Sequence, residues 1–254
     1  MNLTPELLES VSDGLSPRGR EFLKRVYSGG LDKFVVRLKA LGFDRLGSVL
    51  DAGCGFGQWS LAMASQGVTV SGVDNDTSRI AVANKLALDI DHCQFQTCGI
   101  ENLPFEDASF DGVFCYSAIY YADVEKVLRE FFRVLRPGGL LYICSNGPGW
   151  ALYNLIHAPN PTPDFNPRHY AMKTCLDSLR YATMGTPPSA EGSLITSING
   201  LTRKMEKLGG KLITAGGEGT IQVMPNEQPP SSFFKGRYLG LEAVSEWLAR
   251  KEKA

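Results

Sequence analysis

This 254-residue chain predicts an α/β fold with a mostly parallel sheet covered by helices on both faces. Three observations lead there. From Ser48 to Ser145 short apolar runs alternate with amphipathic segments at the spacing of strand–helix units. The first run, Val49-Leu-Asp-Ala, passes directly into alternating glycines, Gly53, Gly55 and Gly57, before a helical pattern begins. The second run ends in an acidic residue, Asp74, followed by Asn75.

In chain order, Thr4-Pro5-Glu6 and Ser16-Pro17-Arg18 read as helix starts, each a side-chain cap followed by proline at the first helical position, where the missing N–H costs nothing. Residues 1–44 therefore form a helical cap. Strands follow at residues 49–50, 69–73, 94–97, 112–116 and 140–144, with helices near 58–65, 78–88 and 124–135. Arg136-Pro-Gly-Gly139 makes a tight turn before the fifth strand. Residues 147–192 lose this regularity: seven prolines mix with Trp150, Tyr153, Phe165, Tyr170 and Tyr181, too aromatic for a solvated linker, and the segment reads as an irregular lid over an acceptor site. A helix near 194–208 and a strand at 211–214 come next, then a strand at 233–239 and a terminal helix at 241–250. The whole is one domain over 1–254, with the core at 45–146 and its C-terminal part at 193–254.

Basic and acidic residues nearly cancel, 26 against 27, so no broad field draws the protein to nucleic acid or an anionic membrane. No basic-then-apolar leader opens the chain and no apolar run is long enough to span a bilayer, which predicts a cytoplasmic protein, monomeric or homodimeric. The six cysteines lack Cys-x-x-Cys spacing and read as reduced packing residues, with no metal site.

The glycine turn discriminates among ligands. A phosphate-binding loop needs Gly-Lys-Ser/Thr where this helix opens Gly57-Gln58-Trp59. A dinucleotide fingerprint needs a third glycine where Gln58 stands, and Asp51 would set a negative charge close to a pyrophosphate. S-adenosylmethionine, which carries an ammonium and a sulfonium beside its adenosine, turns that carboxylate into an asset. Asp74, near the offset expected for a ribose-binding acid, supports the same ligand.

Residues 49–57, Val73-Asp74, the segment 101–111 and Arg133-Val-Leu-Arg-Pro-Gly-Gly139 together resemble the ordered motifs of class I S-adenosylmethionine-dependent methyltransferases, in the branch with many small-molecule enzymes. The resemblance implies a Rossmann-like seven-stranded sheet, ordered 3-2-1-4-5-7-6 with the last strand antiparallel. It also implies that Gly53, Cys54, Gly55 and Gly57 meet the methionine part, that Asp51 orders that end, that Asp74 binds the ribose and that Asn75 lies beside the adenine. Where the family commonly carries Asp-Ala-Glu, this chain has Gly99-Ile100-Glu101, which removes one contact to the adenine amine and leaves Ile100 and Glu101 to serve that side. Cys115 and Tyr116 match positions that receive the ammonium and line the sulfonium.

Methyl transfer is an in-line displacement that needs alignment more than chemical assistance. A hydroxyl acceptor would benefit from a general base. His157 and His169 in the lid, and Tyr120 where the family often has paired histidines, are the catalytic candidates; His92 reads as a surface residue. The basic stretch from Arg18 to Arg25 before Tyr27-Ser-Gly-Gly30 is either a solvated face or a cover for the cofactor carboxylate. The function read from the sequence is methylation of an oxygen or nitrogen of a small, partly apolar metabolite. The alternatives are a cofactor-binding protein that has lost methylation or catalyses a cyclisation, and, less favoured, an NAD-dependent oxidoreductase.

Overall fold

A computed structural model describes residues 4–189 and 191–253. Ala190 of the lid and the first three residues, on which the absence of a leader was partly read, lie outside them. The cap comprises α1 (Pro5–Val11), α2 (Pro17–Tyr27) and α3 (Asp32–Leu41). Its starts follow the caps read above. Thr4 Oγ1 accepts from the Leu7 N–H and Ser16 Oγ from the Gly19 N–H, with proline at the first helical position of α1 and α2.

The core runs β1 (Ser48–Ala52), α4 (Gln58–Ala64), β2 (Thr69–Asp74), α5 (Thr77–Leu86), β3 (Cys93–Thr97), β4 (Phe110–Tyr116), α6 (Val124–Val134) and β5 (Leu135–Asn146). There follow α7 (Pro148–His157), α8 (Pro167–Met184), α9 (Ile198–Glu206), β6 (Gly210–Gly217), the two-residue β7 (Arg237–Tyr238) and β8 (Leu241–Glu242), and β9 (Val244–Lys251). The sheet order is β3-β2-β1-β4-β5-β9-β6. Counting only its seven strands, that is 3-2-1-4-5-7-6, and the last strand pairs antiparallel with both neighbours.

Two apolar layers flank the sheet. One buries Leu38, Phe43, Trp59, Phe114 and Tyr142 under α3 and α4; the other buries Leu50, Val113, Phe131 and Trp247 under α6 and α9. Helix α6 shows why its sequence makes a helix. Asp123 caps it by accepting from the Glu125 N–H at 3.1 Å, and Val124, Val127, Leu128, Phe131 and Phe132 recur at the spacing of one face. Phe131 is fully buried, so truncation to alanine would cost about 3–5 kcal/mol.

Three expectations are corrected. The terminal helix at 241–250 is instead strand β9, sandwiched between β5 and β6 with Val244 to Ala249 all buried. Glu246 disguises that strand as a polar-faced segment: it is buried, accepting from Tyr142 Oη at 2.7 Å and from the Thr220 and Ile221 N–H groups at 2.9 and 2.8 Å. The strand at 233–239 shrinks to the pair β7, matched only with β8 in a separate ribbon. The lid is largely helical, because Pro148 and Pro167 sit at the first turns of α7 and α8, where proline starts a helix instead of breaking one. The remaining prolines of that stretch fall in the turns on either side of α8.

Candidate functional site

The carboxyl ends of β1, β2 and β4 converge on the glycine turn. Gly53, Gly55 and Gly57 have φ of 76°, 57° and 81°, a left-handed backbone that other residues adopt only with strain. Gly53 has a second constraint, since a Cβ there would lie 2.1 Å from Ala118 Cβ on the loop after β4. The turn is anchored to β2: the Gly53 and Cys54 N–H groups both donate to Val73 O, at 2.8 and 2.9 Å. Asp74, 7% exposed, then ties the next step, with Oδ2 accepting from the Gly55 N–H and Oδ1 from the Asp76 N–H, each at 2.9 Å.

Asp51 lies beneath this turn, 1% exposed, with Oδ2 accepting from Ser60 Oγ at 2.6 Å. Burial pushes its carboxyl up to about 7, and the negative charge of Asp74 adds to the rise. The Cys54 and Cys115 side chains are buried in opposite apolar layers, so each offers the site only its backbone; burial pushes the Cys115 thiol up to about 12. Asn75 is exposed at the end of β2 and Ile100 is buried after β3. Glu101 is turned to the start of α6, where Oε1 accepts from the Asp123 N–H at 2.7 Å.

Tyr116, the last residue of β4, is half-buried against Trp59, with ring centroids 4.8 Å apart. Tyr120 is buried with its ring 4.6 Å from that of Tyr121. The histidines stand elsewhere. His157 closes α7, nine residues beyond its start and so about 13 Å along it, and its Nε2 is 2.7 Å from Tyr238 Oη. His169 is exposed in the first turn of α8, and His92 Nε2 lies 3.0 Å from Ala64 O beside β3. The lid aromatics form a cluster: Tyr170 meets Trp150 at 5.7 Å and Phe165 at 5.6 Å. Arg18 of α2 reaches across to stack its guanidinium 3.8 Å over Phe165, joining cap to lid.

Residues that the sequence reading passed over lie under the same edge. Arg37 and Glu218 are paired and buried at 1% and 0% exposure, and Glu218 also accepts from Tyr116 Oη at 2.8 Å. A signal for Arg37 was available. It shares the i, i+3, i+4, i+7 stripe of Phe34, Leu38 and Leu41, and a cation in an apolar stripe requires a buried partner. Nothing local marked Glu218 as that partner, which lies 181 residues away.

A strand–glycine turn–helix with an acid at the end of the next strand defines an α/β protein that holds an adenosyl ligand at the carboxyl edge of its sheet. Residues 50–143 match the model of the methyltransferase domain. The ubiquinone biosynthesis O-methyltransferase of Pseudomonas fluorescens is 30% identical over 166 residues, covering 61% of this chain and 67% of that protein. The sterol 4-C-methyltransferase of Caenorhabditis elegans is 33% identical over 137 residues, 52% of this chain and 37% of that protein. The chain spans about two fifths of the length of the first curated relatives it matches. A solved geranyl diphosphate methyltransferase in complex with S-adenosylmethionine superposes with a TM-score of 0.60 at 18% identity, covering 96% of this chain and 94% of that one. The chain belongs to the class I S-adenosylmethionine-dependent methyltransferase family, whose cofactor is S-adenosylmethionine.

The residues present fit that cofactor. The turn offers bare backbone at Gly55, where an added Cβ would meet only Gln58 Oε1 at 4.0 Å. That Gln58 oxygen is itself buried without a hydrogen-bond partner among the described residues. Asp74 still has acceptor lone pairs after its two backbone bonds. No helix among the described residues is long and apolar enough to cross a membrane.

Proposed function

We propose that this protein transfers the methyl group of S-adenosylmethionine to an oxygen or nitrogen of a small, partly apolar molecule. The observation that carries the reading is the clamp of Asp74 on the glycine turn, which holds a carboxylate and open backbone at one sheet edge. In this assignment Asp51, Gly53, Cys54, Gly55 and Gly57 surround the methionine part, with Cys115 and Tyr116 at its cationic end. Asp74 holds the ribose, and Asn75, Ile100 and Glu101 border the adenine.

When bound, the cofactor supplies a methyl already activated by its sulfonium. The chain's task is to align an acceptor with that carbon and keep water away. The lid over 147–192 and the cap over 1–44 do this from above the core of 45–146, and their contact at Arg18 and Phe165 supports a closed chamber. Stiff aromatic walls at Tyr120, Trp150, Phe165 and Tyr170 suit an apolar or cyclic acceptor. His157 and His169 are the candidates for a base, should the acceptor be a hydroxyl. The part at 193–254 completes the sheet, and the single domain acts as a monomer or homodimer.

Calorimetry with S-adenosylmethionine and S-adenosylhomocysteine tests the cofactor assignment. Transfer of label from a methyl-labelled donor to candidate acceptors then tests the reaction. Folded protein that binds neither ligand overturns the proposal. Binding without transfer to any oxygen or nitrogen acceptor overturns its second half.

A further inference from the structure

Tyr116 does more than form a wall. Its phenol belongs to a buried charged cluster in which Glu218 is the centre. Glu218 Oε1 accepts from Tyr116 Oη at 2.8 Å and from the Arg37 guanidinium, while Oε2 accepts from the Phe233 and Phe234 N–H groups at 2.8 and 3.1 Å. Four donors thus fill a carboxylate that has about four acceptor sites. The Arg37 guanidinium also stacks 4.5 Å over the Phe233 ring, and Phe233 packs in turn 6.2 Å from Trp59 and 6.4 Å from Tyr116.

Stability alone does not account for this cluster. A buried ion pair recovers its desolvation cost poorly, and well-packed apolar residues often replace it at no loss. What the cluster does uniquely is orient a hydroxyl. A phenol has one proton, and here it is committed to Glu218, so the oxygen keeps only acceptor capacity. Burial and the neighbouring charge of Glu218 both hold that proton on, leaving Tyr116 neutral. The residue stands at the carboxyl end of β4, one position before Ser117, whose φ of 58° turns the chain toward Ala118 and its contact with Gly53.

We propose that Glu218 is a positioning residue: by accepting the hydrogen bond of the Tyr116 hydroxyl it fixes the phenol oxygen as an acceptor for the cationic end of the adenosyl ligand. By taking the amides of Phe233 and Phe234, it also straps the segment 219–236 to the same edge. This inference rests on the proposed cofactor assignment and extends it to residues far from every motif.

The test measures S-adenosylmethionine and S-adenosylhomocysteine affinity by calorimetry in the wild type, Tyr116→Phe, Glu218→Gln and the double variant, with amide exchange at Phe233 and Phe234. Tyr116→Phe removes one hydroxyl and leaves the ion pair. It is expected to weaken S-adenosylmethionine binding about tenfold, the scale of one hydrogen bond to a charged group. Glu218→Gln should weaken it comparably and speed exchange of both amides, and the double variant should bind no worse than the weaker single one, because Glu218 acts through Tyr116. Wild-type affinity in Tyr116→Phe, or losses that multiply in the double variant, overturns the inference while leaving the cofactor assignment standing. Wild-type protein that binds neither ligand removes both. If Glu218→Gln does not fold, Glu218→Asp, which keeps the charge and shortens the reach to Tyr116 Oη, replaces it with the same expected and overturning outcomes.

Discussion

The backbone N–H of Gly55 donates to Asp74 Oδ2 at 2.9 Å, so the carboxylate at the end of β2 and the glycine turn after β1 form one rigid unit. A ligand that meets either therefore meets both, and substitutions in this pair have consequences for geometry as well as for contact.

Asp74→Ala removes the proposed ribose acceptor and frees the Gly55 and Asp76 amides together. Loss of hydrogen bonds to a charged group, about 1.5–3 kcal/mol each, predicts at least a tenfold fall in S-adenosylhomocysteine affinity by calorimetry. Unchanged affinity would place the ribose elsewhere.

Gly53→Ala puts a methyl 2.1 Å from Ala118 Cβ at a φ of 76°. Left-handed strain of about 1–2 kcal/mol and overpacking of about 1–3 kcal/mol act together. A fall in melting temperature of several degrees is expected, with a matching loss of cofactor binding. Gly67→Ala has the strain without the clash, since nothing lies within 4 Å of its Cβ, and should cost less.

Asp51 gives a pH dependence with a definite sign. Its folded carboxyl is raised to about 7 from an ordinary value near 4, so the folded state binds the proton more tightly than the unfolded chain. The contribution to stability is fully present below about pH 4 and is lost as pH rises through about 7. Asp51→Asn, which stays neutral, should therefore gain a few kcal/mol on the wild type between pH 4 and pH 8. Urea unfolding at the two pH values measures this, and a constant difference would contradict it.

Glu246→Ala leaves the Thr220 and Ile221 amides and the Tyr142 hydroxyl without their acceptor inside the sheet. Removing one partner from a buried charged network costs about 3–5 kcal/mol. The variant should unfold at markedly lower urea, where the surface change Glu252→Ala should not.

His157→Ala and His169→Ala separate a lid role from a base role. A base gives a lower kcat with unchanged cofactor affinity. For His157, whose ring nitrogen meets Tyr238 Oη at 2.7 Å, a change confined to lid stability would identify a structural tie to the β7–β8 ribbon.

The strand–helix alternation, the order of the motifs and the glycine turn were legible because their signals are local. Period and turn chemistry act within a few residues, and φ above zero at Gly53, Gly55 and Gly57 is a property of the backbone itself. The caps at Thr4 and Ser16 were legible for the same reason. The C-terminal region was not. Residues 244–251 carry a pattern that serves a helix or a strand, and the choice was made by the slot between β5 and β6, which buries both faces and supplies the partners of Glu246.

What the sequence by itself determined is the strand–turn unit proposed to hold the cofactor: a strand, three glycines and an acid fixed by backbone sterics and short-range hydrogen bonds. Tertiary structure alone decided the rest. It joined Arg37 to Glu218 and Tyr116, far apart along the sequence, because a buried guanidinium and carboxylate must find each other to escape the cost of desolvation. It also set Arg18 on Phe165, joining α2 to the segment before α8. Such pairings follow from packing in three dimensions, and no spacing along the chain encodes them.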